Sequence, residues 1–167
     1  MAFNVLILCT GNSARSVMGE AILNRRGARR FQAFSAGSNP AGAVNPVGAR
    51  LLAMKDYDVG KYRSKNWDEF EGADAPVMNA VITVCDNAAG ETCPLWPGAP
   101  VRVHWGFPDP AAAEGSDDEK LMAFSEIYDA IDTFMAALVA LPVETMDTAE
   151  IQSAMRAIAD SETKAWA

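Results

Sequence analysis

The apolar run from Phe3 to Leu8 stops at Cys9 and the polar stretch Thr10-Gly11-Asn12-Ser13, and from Ser16 the apolar spacing turns helical. No other feature narrows the fold so far. A short apolar run that ends in turn-forming residues reads as a buried strand entering a tight loop. Val17, Ala21 and Ile22 then fall near a 3.6-residue period, Arg25 and Arg26 occupy a last turn, and Gly27 follows, which marks a helix C-terminus. The pattern continues with a second strand over residues 31–36, a Gly/Pro/Asn loop, and a helix carrying Val47, Leu51, Leu52 and Met54. Further strands are predicted over residues 80–84, ending at Cys85, and around 101–105. Ser116-Asp117-Asp118-Glu119 is a capping box. Behind it Leu121, Phe124, Ile127, Ile131, Met135 and Leu138 form an apolar stripe of helical period. After Pro142, a second cap at Asp147-Thr148-Ala149-Glu150 opens a weaker helix running to about Thr163. Strand–helix alternation predicts an α/β fold with a parallel sheet and helices on its faces. Ligands of such sheets bind beyond the carboxyl ends of the strands, where Cys9 and Cys85 both fall.

At 167 residues, half of them hydrophobic, the chain fits one domain with a sizeable core and is too apolar for disorder. Residues 1–142 read as the body of that domain and 143–167 as a helical extension of it. Lys and Arg number 14 against 22 Asp and Glu, for a formal charge of −8. That balance argues against nucleic acid or an anionic membrane as partner, and sits awkwardly with an anionic substrate. No basic leader precedes the first apolar run and no stretch approaches the roughly 20 apolar residues of a membrane span, so a cytoplasmic protein is expected. Three cysteines are an odd number for a disulfide framework; in a reducing compartment they are buried, catalytic or metal-binding.

Cys9-Thr10-Gly11-Asn12-Ser13-Ala14-Arg15-Ser16 is a Cys-x5-Arg-Ser segment placed between strand and helix. A loop of that length can turn its backbone N–H groups inward as a nest for a tetrahedral oxyanion. The following helix adds the positive end of its dipole, and Arg15 can return to grip two oxygens in a fork. The same positive features are expected to lower the Cys9 pKa and make it a thiolate nucleophile, with Ser16 as a hydrogen-bond donor to it. The competing reading, a buried cysteine with an incidental arginine, leaves the strand-before and helix-after context unexplained.

Cys93 follows Cys85 by eight residues, across a polar segment containing Gly90. A redox pair is one reading, since thiol–disulfide exchange needs a resolving thiol within reach. A buried Cys85 with an incidental Cys93 is another. A zinc site with His104 matches no common ligand spacing. Asp109, bounded by Pro108 and Pro110, is on its own an ordinary turn carboxylate, and Arg29-Arg30 read as a solvated face.

Residues 8–16 resemble the phosphate-binding loop of the low-molecular-weight protein tyrosine phosphatase family, whose fold is a four-stranded parallel sheet flanked by helices. Phosphatases and thiol-coupled arsenate reductases share that fold. The run from Val84 through Cys93-Pro94 to Asp109-Pro110, with Ala111 where the phosphatases usually carry Tyr, resembles the reductase branch. The resemblance covers residues 3 to about 140. It implies an arsenate reductase in which the oxyanion lies in the loop of residues 9 to 16, Cys9 attacks, Asp109 is the general acid, Cys85 resolves the adduct and Cys93 completes a disulfide. Thioredoxin or glutaredoxin would reduce that disulfide, and phosphate or sulfate would compete with arsenate. No tightly bound cofactor is implied beyond a candidate potassium ion at Asn12, Glu20 and Ser35, where loop-bracing hydrogen bonds are the alternative. The segment between Cys85 and Cys93 is one residue longer than in the best-known thioredoxin-coupled members. The other readings are a phosphotyrosine phosphatase working through a Cys9 phosphoenzyme and a non-catalytic oxyanion-binding module.

Overall fold

The computed structural model describes residues 1–85 and 100–162. Four parallel strands, β1 (Phe3–Leu8), β2 (Phe31–Ala36), β3 (Ala80–Thr83) and β4 (Val101–His104), form one sheet in the order β2-β1-β3-β4. The helices are α1 (Arg15–Gly27), α2 (Pro46–Met54), α3 (Asp117–Val139) and α4 (Thr148–Glu162). The expected fold class is the one observed. Strands β3 and β4 each end one residue short of the expectation, because the parallel ladder runs out where Leu8 pairs with Thr83 and Thr83 with His104.

The two-residue period of each strand sorts its side chains onto two faces. Val5, Ile7, Ala80, Ile82, Val101 and Val103 join the larger core, with Val17, Met18 and Ile22 of α1 and Phe124, Ile131, Phe134 and Met135 of α3. Leu6, Leu8 and Val81 face the other way, against Phe70 and Met78. Among the described residues, one face of the sheet therefore lies under helices and the other under a segment of short turns.

The helix ends obey local chemistry. Ser116 and Glu119 form the expected reciprocal cap of α3, and Asp147 and Glu150 that of α4. Asn45 caps α2, with Pro46 in its first turn. Arg29 and Arg30 are exposed, as expected, and the Arg30 guanidinium also pairs with Glu144 and donates to the carbonyls of Val139 and Leu141, satisfying the end of α3. Helix α4 lies against the β4 edge, where Gln152 bonds both N–H and C=O of Arg102 and the Trp105 indole N–H donates to Met155 O at 3.0 Å. Tyr57 and Tyr128 share a hydroxyl hydrogen bond of 2.8 Å that joins the segment after α2 to α3. No helix among the described residues is long and apolar enough to cross a membrane.

Candidate active site

β1 and β3 are neighbours with Leu8 level with Thr83, so the residues that leave their carboxyl ends must meet. Cys9 and Cys85 are both buried there, and the Cys9 thiol hydrogen-bonds to Cys85. The Thr10 N–H donates to Cys85 Sγ at 3.3 Å, with the Thr10 hydroxyl 3.7 Å from the same sulfur. A cavity of about 220 Å³ opens above them, bounded by loop residues 9–11 and 13–15 together with Cys85, Asp109 and Ala111.

The Thr10 and Gly11 amides turn toward the two thiols while the loop's carbonyls are engaged outside. Thr10 O accepts from Asn39 N, Gly11 O from Ala41 N and the Ser64 hydroxyl, and Ser13 O from Asn45 N. Helix α1 opens with Ala14 at its N-cap and no side-chain cap, leaving its positive end for a ligand. Asn12 is fully buried in the left-handed region at φ 44°. Its amide donates to Ser16 Oγ at 2.8 Å and accepts from Lys65 N at 2.9 Å, a fixed geometry that makes the strained turn tolerable. Ser16 is therefore a partner of Asn12. Gly37, just past β2, touches the loop from below: a Cβ there would lie 2.3 Å from Thr10 O, so only glycine fits.

Arg15 returns across the pocket mouth. One amino group donates to Phe107 O at 3.0 Å and the other lies 3.7 Å from Asp109 Oδ2. Its Nε is buried and has no partner among the described residues, a donor left for an acceptor in the pocket. Asp109 caps its own short turn by accepting from Ala111 N and remains half exposed, within reach of a bound anion.

Electrostatics at Cys9 differ from the expectation of a simply depressed thiol. The shared hydrogen bond with Cys85 and burial push its pKa up, while Arg15 and the Gly11 amide pull it down. Two thiolates in contact in a buried pocket repel, so the pair carries at most one negative charge at neutral pH and titrates as a unit. Arg15 and Gly11 draw that charge toward Cys9, and the Thr10 N–H draws it toward Cys85.

Of the remaining expected residues, Cys93 lies outside the described residues. Asn12, Glu20 and Ser35 are brought together, but through Lys65, a residue that no sequence pattern marks. Glu20 accepts from the Ser35 hydroxyl at 2.7 Å and lies 3.6 Å from the Lys65 ammonium, whose pKa is lowered by burial and raised in part by Glu20. His104 shares a hydrogen bond with Thr83 Oγ1. A larger cavity of about 400 Å³ lies at the opposite end of the sheet, around Phe3, Asn4 and Val77, and holds no nucleophile.

A family model described as low molecular weight phosphotyrosine protein phosphatase matches residues 4–154. An arsenate reductase of Halalkalibacterium halodurans is 37% identical over 129 residues, covering 76% of this chain and 88% of that one. One from Bacillus subtilis is 33% identical over 130 residues, with the same shares covered. The crystal structure of an arsenate reductase from Archaeoglobus fulgidus superposes with a TM-score of 0.55 at 29% identity, over 79% of this chain and 98% of that one.

Proposed function

The chain belongs to the low-molecular-weight phosphotyrosine protein phosphatase family, and from that membership and the paired thiols at its pocket we propose that it reduces arsenate to arsenite. The observation that carries the reading is that Cys9 and Cys85 are both buried and line one pocket, with the Thr10 N–H on Cys85 Sγ. Phosphoryl transfer needs one thiolate. A second buried thiol against the first has no task in hydrolysis, but it is what a two-electron reduction requires. The arsenate reductases among the relatives point the same way.

In this account arsenate lies over the positive end of α1, with two of its oxygens gripped by Arg15. The Cys9 thiolate attacks arsenic, and an oxygen leaves as water after Asp109 supplies a proton, giving a Cys9–S–As(V) adduct. The Cys85 thiolate then attacks Cys9 Sγ. The S–As bond breaks, its electron pair stays on arsenic, and arsenite departs, leaving a Cys9–Cys85 disulfide. Cys93 next attacks Cys85 as a thiolate, which frees Cys9 and forms a Cys85–Cys93 disulfide. An external dithiol protein of the thioredoxin or glutaredoxin class returns both thiols, which suits a reducing, cytoplasmic setting.

Hydrolysis of phosphotyrosine through a Cys9 phosphoenzyme is the second reading, favoured by the family and by the Cys9, Arg15 and Asp109 set, which suffices for it. Against it, no aromatic side chain among the described residues lines the pocket to stack on a phenyl ring; Ala111 stands beside the mouth. The test is arsenate-dependent NADPH consumption, with thioredoxin and glutaredoxin systems supplied separately, beside turnover of p-nitrophenyl phosphate. Reduction with at least one system and slow aryl phosphate turnover is expected. Fast aryl phosphate turnover with no arsenate-dependent NADPH loss would establish the phosphatase.

A further inference from the structure

A buried cation sits beside the oxyanion loop. Lys65 is only 9% exposed; its ammonium lies 3.6 Å from Glu20 Oε1 and donates to Arg63 O at 3.1 Å. The same Glu20 oxygen accepts from the Ser35 hydroxyl. The Lys65 N–H holds Asn12 Oδ1, and its carbonyl accepts from Gly37 N, the glycine that touches the loop from below. The residues that the family resemblance offers to a potassium ion thus converge on one lysine.

A potassium ion does not fit among them as they stand. It needs oxygen lone pairs turned toward it, yet Asn12 Oδ1 is engaged by an amide and Ser35 directs its hydroxyl proton at Glu20. The carboxylate that would supply the charge is already paired, and a second cation would sit against the ammonium. We propose that Lys65 is a positioning residue whose ammonium takes the place of a monovalent cation, neutralising Glu20 and fixing the oxyanion loop without an exchangeable ion.

The consequence for binding follows from the helix. At 1.5 Å per residue, Glu20 lies about 7.5 Å along α1 from Arg15. An unpaired carboxylate there, 12% exposed, would oppose any anion in the loop with little solvent to screen it. The inference rests on the oxyanion reading of the loop and is independent of the redox relay.

The test uses inorganic phosphate as the probe, by titration calorimetry on the full chain, in KCl and in tetramethylammonium chloride at matched ionic strength. Thermal unfolding is followed in both salts. The wild type should give the same Kd and the same Tm in either. Lys65→Met should bind phosphate about tenfold more weakly in tetramethylammonium. It should recover part of that loss, and gain Tm, in KCl alone, because the emptied place then admits potassium. Lys65→Arg should retain most of the affinity. If Lys65→Met folds poorly, the pair Lys65→Met with Glu20→Gln, which removes both charges, should bind phosphate close to the wild type and with the same Kd in either salt, and a large loss of binding in the folded pair overturns the proposal. A saturable rise of the wild-type Tm with potassium overturns the proposal, as does a Lys65→Met that binds phosphate like the wild type in tetramethylammonium. A wild type that binds no phosphate in either salt overturns the oxyanion reading instead, and the comparison of Tm values still decides for or against Lys65.

Discussion

Cys9 and Cys85 cannot be understood one at a time. Each is a buried thiol, and the proton held at one depends on the charge carried by the other. Because the shared hydrogen bond with Cys85 is the largest influence raising the Cys9 pKa, its removal should let Arg15 and the Gly11 amide act unopposed except by burial. Cys85→Ala should therefore move the pH midpoint for alkylation of Cys9 by iodoacetamide downward from the wild-type value. An unchanged midpoint would mean that the thiols do not share a proton. At this scale the sequence was legible where chemistry imposes spacing: Cys-x5-Arg forms the loop between strand and helix that lines the pocket, and Asp109 stands on the Arg15 side of it. The upward push on the Cys9 pKa was not legible, because the spacing in one segment says nothing about a thiol 76 positions on. Lys65 and Gly37 were missed for the same reason: both act on the loop across the sheet, and no local pattern marks them. A glycine directly after a strand, at the end where ligands bind, was the one available signal for Gly37.

Elements were legible where an apolar period or a cap is strong. Both caps of the later helices stand where the sequence put them, and α1 begins one residue early, at Arg15, because an uncapped start leaves only the loop to define it. Residues 55–79 carried no readable period, since they form short 3-10 turns whose side chains serve the second face of the sheet singly, as Phe70 and Met78 do. The C-terminal helix reads by sequence as an extension of the domain, and Ile151, Met155 and Ile158 belong to the main core. Met155 is fully buried and its carbonyl holds the Trp105 indole. Met155→Ala should cost about 2–5 kcal/mol by urea unfolding, the range for a large core side chain cut to Ala. A loss near zero would show that α4 rests on the surface without supporting β4.

For the whole molecule, a formal charge of −8 stands against an anionic substrate. The site answers with local means: inward amides, a helix terminus and Arg15, whose side chain is 14% exposed and so little screened. The distant charges repel, and salt weakens that repulsion first. The kcat/KM for arsenate should accordingly stay level or rise as KCl is added, and a steep fall would reveal an attractive field that the composition hides. The larger claim is about electrons. Reduction of one arsenate takes two, and a chain with a nucleophile and a resolving pair holds them without help. The most direct measurement mixes the fully reduced protein with arsenate in the absence of any reductant, then counts arsenite and free thiols per chain. One arsenite should be released and the thiols should fall from three to one, with the remaining thiol at Cys9. Three thiols still titrating and no arsenite formed would contradict it.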